Sequence, residues 1–212
     1  MIPRGQVTNI LVGVNVLIWL MFWLMGLDSI APVEAGFIPA RFGATLSQIT
    51  GHEFLVPFLL TPLTAAFLHA GFFHLLINML MLLFTGRFVE MAVGKKGLLL
   101  LYVVGAYAAA LGEFLPHPQS LTPMVGASGP GSAVIAAYMI LFSRAAPRRF
   151  GPIPPHVMRM GSLMFLWVVL NLGIVFALSG DGMRIAIGAH IGGFAAGLLL
   201  VRPMLAWRHR NA

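Results

Sequence analysis

"MVGASGPGSAVIAAYMILF", Met124–Phe142, joins a glycine-rich turn to an apolar run that carries no charge before Arg144. From Ser128 to Phe142 the run would rise about 22 Å as a helix, somewhat less than the roughly 30 Å hydrocarbon core of a bilayer. Serine suits the start of a helix, because its side-chain oxygen can accept a first-turn N–H. Pro130 is tolerated there too, since the N–H it lacks would have no intrahelical partner. The stretch therefore reads as a membrane-grade helix that opens on a hydroxyl.

Outward from it, five more apolar stretches appear: about Ile10–Leu27, Phe58–Phe88, Leu98–Leu115, Val157–Leu178 and Ile185–Leu205. The 212 residues are 59% hydrophobic and 9% charged, against about 25% charged in ordinary soluble domains. This composition excludes a soluble globular protein and predicts an all-α polytopic membrane protein of six transmembrane helices. One domain is expected over residues 1–212, with an extracytoplasmic loop at about 28–57. A cleaved signal peptide is not expected. The first stretch is longer than a usual signal core, and the small pair Ser29/Ala31 runs straight into Pro32. The absence of cysteine excludes disulfides, thiol redox chemistry and Cys-ligated metals.

The formal charge of +7 is a topology signal. With a cytoplasmic N-terminus, only Arg41 and Arg184 of the 13 Lys+Arg fall outside. Arg4, Arg87, Lys95, Lys96, Arg144, Arg148, Arg149, Arg159, Arg202, Arg208 and Arg210 all fall inside. That skew predicts both termini in the cytoplasm. It removes the need for a nucleic-acid partner and leaves a basic inner face able to touch anionic membrane lipids.

The same charges give depths. Measured from Arg144, Arg184 and Arg87, the positions of Ser128, His190 and His74 fall about 8–10 Å below the outer boundary. Asn78, four residues after His74, shares its helix face one turn deeper. Polar groups at such depth must face protein or water. The pairs Gly188/Gly192 and Gly193/Gly197, with Gly129, Gly131, Ser132 and Ala136, are small-residue faces that let helix backbones approach. Close approach would carry the His190 imidazole to the Ser128 hydroxyl.

These residue types suit acyl transfer. A serine hydroxyl needs a base to take its proton, and histidine titrates in the right range. The free N–H groups and the dipole at the start of the Ser128 helix favour an oxyanion, and the His74 ring and Asn78 amide are further donors. Gly126 keeps bulk from the attacked carbonyl. The inner parts of the spans lack Asp and Glu, and Glu113, near the outer end of the third stretch, is a weak third member. A Ser–His dyad is the economical reading.

The segments "HAGFFHLLINM" (His69–Met79), "GASG" (Gly126–Gly129) and "AHIGGFAAG" (Ala189–Gly197) resemble, in order and placement, the signature segments of the rhomboid family of intramembrane serine proteases. The resemblance covers about Pro57 to Val201. It implies a six-helix rhomboid-like bundle of the prokaryotic type that cleaves single-pass transmembrane proteins near the outer end of their membrane segment. By resemblance, Ser128 is the nucleophile and His190 the general base. His74, Asn78 and the Ser128 N–H form the oxyanion hole, and Gly126 shapes the active-site turn. Substrate enters sideways past a mobile fifth helix, and water reaches the dyad from outside. So compact a chain without a targeting extension is expected in the plasma (inner) membrane; fold and mechanism require no cofactor and no oligomer, and no metal site is expected. Ser132 departs from the pattern by standing where some members place an aromatic ring against the base histidine, and Pro130 where many carry an apolar residue.

Other readings compete. A non-proteolytic relative that binds transmembrane helices is opposed by the presence of both Ser128 and His190. A small transporter needs a continuous polar path or a midplane site, whereas the inner half here is apolar. His69 reads as support for the second helix or first loop. His52, His117, His156 and His209 read as solvated. His69 and His74 lack the HExxH spacing of a zinc protease, and "VGKKG" (Val93–Gly97) reads as an inside turn, not a P-loop. Glu90 reads as structural, and the aromatics of the spans as packing or lipid-facing residues.

Overall fold

A computed structural model describes residues 3–42, 56–142, 153–178 and 186–210, the side chains of 171–178 excepted. Arg144, Arg148, Arg149, Arg184 and His52 lie outside the described residues. Seven α-helices occur among those described: α1 (Gln6–Leu24), α2 (Ala31–Ala35), α3 (Thr61–Ala65), α4 (Phe72–Phe114), α5 (Ser128–Phe142), α6 (Pro155–Leu178) and α7 (Ile187–Arg208). The protein is an all-α polytopic membrane protein. α1, α4 and α7 are each long and apolar enough to cross a bilayer, and α5 and the first part of α6 are shorter apolar helices.

The second apolar stretch is corrected by the structure. Its spanning helix starts at Phe72, not near Phe58. Residues Phe58–Leu60 form a 3-10 turn, followed by the short α3, because Pro57, Pro62 and the extended Gly71 interrupt any longer helix. The second and third stretches then join without a loop. α4 has 43 residues and would reach about 65 Å if straight, twice a bilayer core. Gly94, at φ 79° and ψ 170°, breaks it into two arms, 72–93 and 95–114. Few L side chains adopt that backbone geometry. Arg208 donates to the Met91 carbonyl from α7 at 2.6 Å, satisfying an acceptor at the end of the first arm.

The two arms of α4, with α5 and α7, form the centre. Val89, Leu98, Leu101, Tyr102, Val134, Phe194 and Val201 are all fully or almost fully buried there. Leu17, Phe73, Ile77, Phe165 and Leu199 point outward and are mostly exposed. So much outward apolar surface is stable only against lipid. α1 packs on the first arm and is fastened at its start by Glu90. That buried carboxylate accepts the Val7 and Thr8 N–H groups at 3.0 and 2.9 Å and the Thr8 hydroxyl at 2.8 Å. Gly5 offers no side-chain cap, so the helix start is satisfied from a neighbouring helix.

The glycine pairs of α7 address two different helices. A Cβ on Gly188 would come 2.4 Å from the Gly112 carbonyl oxygen, and one on Gly192 2.2 Å from that of Ala108. Both oxygens belong to the second arm of α4. A Cβ on Gly193 or Gly197 would come 2.1 Å from the oxygen of Gly129 or Ala133, both on α5. One helix is thus wedged against two partners at backbone contact, which only small residues allow.

Candidate active site

His74, Ser128 and His190 occupy the first turns of three helices: α4, α5 and α7. Packing brings these turns together. Gly193 meets the carbonyl of Gly129, the neighbour of Ser128. His190 lies three residues before Gly193 and shares its helix face. His74 in turn borders the Gly126 turn that leads into Ser128. The starts of α4 and α7 therefore both pack near the turn that opens α5.

Gly126 is the hinge of the arrangement. Its φ of +119° lies in a region that strongly favours glycine. A Cβ there would come 2.7 Å from His74 Cε1 and Nε2 and 3.5 Å from Ser128 Oγ. The His74 ring edge and the serine hydroxyl thus both lie near the space that a side chain at Gly126 would fill. The His74 Nδ1 accepts the Ala70 N–H at 3.4 Å. In the neutral ring the proton then sits on Nε2, the atom on the Gly126 side, so the ring presents a donor to the site. Asn78 donates its amide to the His74 carbonyl at 2.9 Å. One amide N–H is thereby used within the helix, and a second remains.

Three elements hold the turn before Ser128. Phe37 of the first loop exchanges two backbone hydrogen bonds with Met124, at 3.0 and 2.8 Å. The Gly126 N–H donates to the Ala65 carbonyl of α3 at 2.9 Å. The Ala127 N–H donates to His69 Nε2 at 3.4 Å. His69 is buried and packs edge-on to His74, with ring centroids 5.1 Å apart. Its support thus extends beyond the second helix to the turn that carries the serine. Along the chain it stands in an apolar, loop-forming stretch with no indication of this contact.

Ser132 does not supply a ring to His190. Its hydroxyl donates to the Ser128 carbonyl at 2.7 Å, within α5. The aromatic neighbour comes from α6 instead. Trp167 lies 6.4 Å from the His190 ring, centroid to centroid, and stacks on Phe194 at 5.0 Å and 12°. As one of several aromatics in an apolar stretch, Trp167 carries no sequence signal of that place. Pro130, buried in the first turn of α5, packs against Gly105 of α4.

Glu113, the weak candidate for a third member, bonds to the backbone of α7. Its Oε2 accepts the Ala189 N–H of α7 at 3.3 Å, and Oε1 lies 4.0 Å from His117 Nδ1. Among the described residues no cluster of three or more His, Asp or Glu side chains could hold a metal ion. His117, His156 and His209 are exposed.

The sequence matches the Rhomboid domain over residues 58–207. It is 31% identical over 145 residues to Rhomboid protease GluP of Bacillus subtilis (strain 168), across 68% of this chain and 26% of that protein. It is 30% identical over 147 residues to Rhomboid protease GlpG of Yersinia pestis (strain Pestoides F), across 69% of this chain and 47% of that protein. It is 29% identical over 150 residues to RHOMBOID-like protein 5 of Arabidopsis thaliana, across 68% of this chain and 45% of that protein. The chain spans less than half the length of these curated relatives.

Proposed function

Because the chain belongs to the rhomboid family, we propose that it is an intramembrane serine endopeptidase with a Ser128–His190 dyad. His190 takes the Ser128 proton as Oγ attacks the substrate carbonyl, then returns it to the leaving amine. The oxyanion is held by the Ser128 N–H, the His74 Nε2–H and the second Asn78 amide N–H. Water resolves the acyl-enzyme, with His190 again as base. No cofactor or metal enters the scheme.

The observation that carries this reading is that a Cβ on Gly126 would come 2.7 Å from His74 Cε1 and Nε2 and 3.5 Å from Ser128 Oγ, so the His74 donor edge and the serine hydroxyl both border the Gly126 turn. The substrates are single-pass transmembrane proteins, whose unwound segment reaches the site from the lipid. The two arms of α4 count as two spans, so the bundle has six, with both termini cytoplasmic. The site then opens on the extracytoplasmic side of the plasma (inner) membrane. Residues 1–212 form one domain, and no oligomer is required.

The test is cleavage of a panel of tagged single-pass proteins by the purified chain in liposomes. Wild type is compared with Ser128→Ala and His190→Ala. Cleavage lost in both folded variants supports the dyad. Equal cleavage by all three removes it. Reporter fusions test the topology, and a cytoplasmic signal from the loop around Ser120 would exclude it.

A further inference from the structure

The helix that carries His190 begins without a cap of its own. Ala186 stands at its N-cap position and offers no side-chain acceptor. The His190 N–H donates to the Ala186 carbonyl at 3.2 Å. The N–H groups in the first turn of a helix generally lack an intrahelical acceptor. At Ala189, next to the base, the acceptor comes from another helix: Glu113 Oε2, at 3.3 Å.

The setting makes this contact directional. Glu113 lies in the last turn of α4, and its side chain is only 16% exposed. Its backbone is pressed against α7: a Cβ on Gly188 would come 3.0 Å from Glu113 Cα and 3.0 Å from Oε2. Gly112 and Gly188 likewise leave no room between the two helices. The carboxylate therefore bridges a short gap between fixed backbones. A negative group at a helix start also interacts favourably with the helix dipole. The second oxygen faces His117, one turn on and 66% exposed, toward solvent.

We propose that Glu113 is a positioning residue for the reaction: by capping Ala189 it sets the pitch of the first turn of α7 and thereby the place of the His190 imidazole. The inference rests on the dyad reading above. It acts through the backbone, one peptide from the base, and needs no contact between Glu113 and substrate. Its demand is an acceptor oxygen at the end of a side chain of glutamate length. Gln supplies one, whereas Ala does not.

The test compares wild type, Glu113→Ala and Glu113→Gln as folded proteins in liposomes, with Ser128→Ala as the inactive control. Two readouts are taken. Amide hydrogen exchange of residues 186–193 reads the cap without reference to catalysis. Cleavage kinetics read the base. Glu113→Ala is expected to speed exchange at Ala189 and to lower kcat on the order of tenfold, as sub-ångström misplacement of a reacting group does. KM is expected to stay within about twofold, since uniform substrate binding is untouched. Glu113→Gln is expected to restore both readouts to within about threefold of wild type, because the cap needs an acceptor.

Unchanged exchange in Glu113→Ala overturns the cap, whatever the activity. Faster exchange with unchanged kcat overturns the link to the base. A fall in kcat that Gln does not relieve overturns the acceptor role. If wild type and Ser128→Ala cleave alike, the dyad reading falls, and the proposed link to the base falls with it. The exchange result then still decides whether Glu113 caps α7.

Discussion

The Cα of Gly126 lies beneath the edge of the His74 ring, so that a methyl group there would come 2.7 Å from both Cε1 and Nε2. The same glycine has a φ of +119°. Gly126→Ala therefore meets two obstacles, a strained backbone and a displaced imidazole. The strain alone costs about 1–3 kcal/mol. Movement of the ring or of Ser128 by about 1 Å would lower kcat on the order of 100-fold. Cleavage by folded Gly126→Ala in liposomes, beside its thermal unfolding in detergent, checks both effects. Wild-type rates would show that neither the backbone nor the ring is constrained at this point.

A second relationship tests the packing that brings α7 to α5. Any Cβ on Gly193 collides with the Gly129 carbonyl, which is backbone and cannot turn aside. Gly193→Val must force the two helices apart. The expected loss is about 1–3 kcal/mol of stability, the usual range for overpacking. Activity should fall further than stability, because His190 and Ser128 stand on the two separated helices. Gly131, where a Cβ would meet nothing within 4 Å, is the matched control. Gly131→Ala should leave unfolding temperature and cleavage close to wild type, because it has room and gains helix propensity.

The legible part of this protein lies in its polar exceptions. In apolar runs, Ser128, His190, His74 and Asn78 stand out because burying them has a cost that sequence alone reveals. The glycines of α7 are legible for a related reason, since spacing of four residues marks one helix face. Which helix each pair meets is not local information. Gly188 and Gly192 turn out to face α4, and Gly193 and Gly197 face α5. The start of the first α4 arm is misplaced by hydropathy because Phe58–Phe67 is as apolar as a span, although Pro57, Pro62 and Gly71 punctuate it. Contacts between distant segments leave no periodic trace at all. Glu113 to Ala189, His69 to Ala127 and Trp167 to His190 are three such cases.

Trp167 gives a third prediction. Its indole stands beside the His190 ring and stacks on Phe194, which follows His190 by one turn. Ser132 offers no ring in compensation, because its hydroxyl is turned to its own helix. Trp167→Ala should free the imidazole to sample other rotamers and lower kcat on the order of tenfold. Trp167→Phe retains a flat apolar surface and should recover most of the rate. Steady-state cleavage by both variants distinguishes this from a loss of substrate binding, which would raise KM instead. Equal rates in the Ala and Phe variants would mean that the ring does not orient the base.

The last prediction concerns the opposite end of the bundle. Glu90 is 6% exposed and accepts from two backbone N–H groups and one hydroxyl at the start of α1. Nearby, Arg87 donates to Asn9, and Lys95 bonds to Gln6. The surface contacts are exposed and contribute little. Glu90 differs, because its loss leaves buried donors without an acceptor. Glu90→Ala should destabilise the fold by about 1–3 kcal/mol. Glu90→Gln keeps one acceptor oxygen and should lose less. Since α1 carries none of the proposed reacting groups, residual cleavage per folded molecule should stay near wild type below the unfolding temperature. Thermal unfolding in detergent, paired with cleavage well below that temperature, separates the two quantities. A fall in specific activity as large as that of Gly126→Ala would mean that α1 helps to place the site.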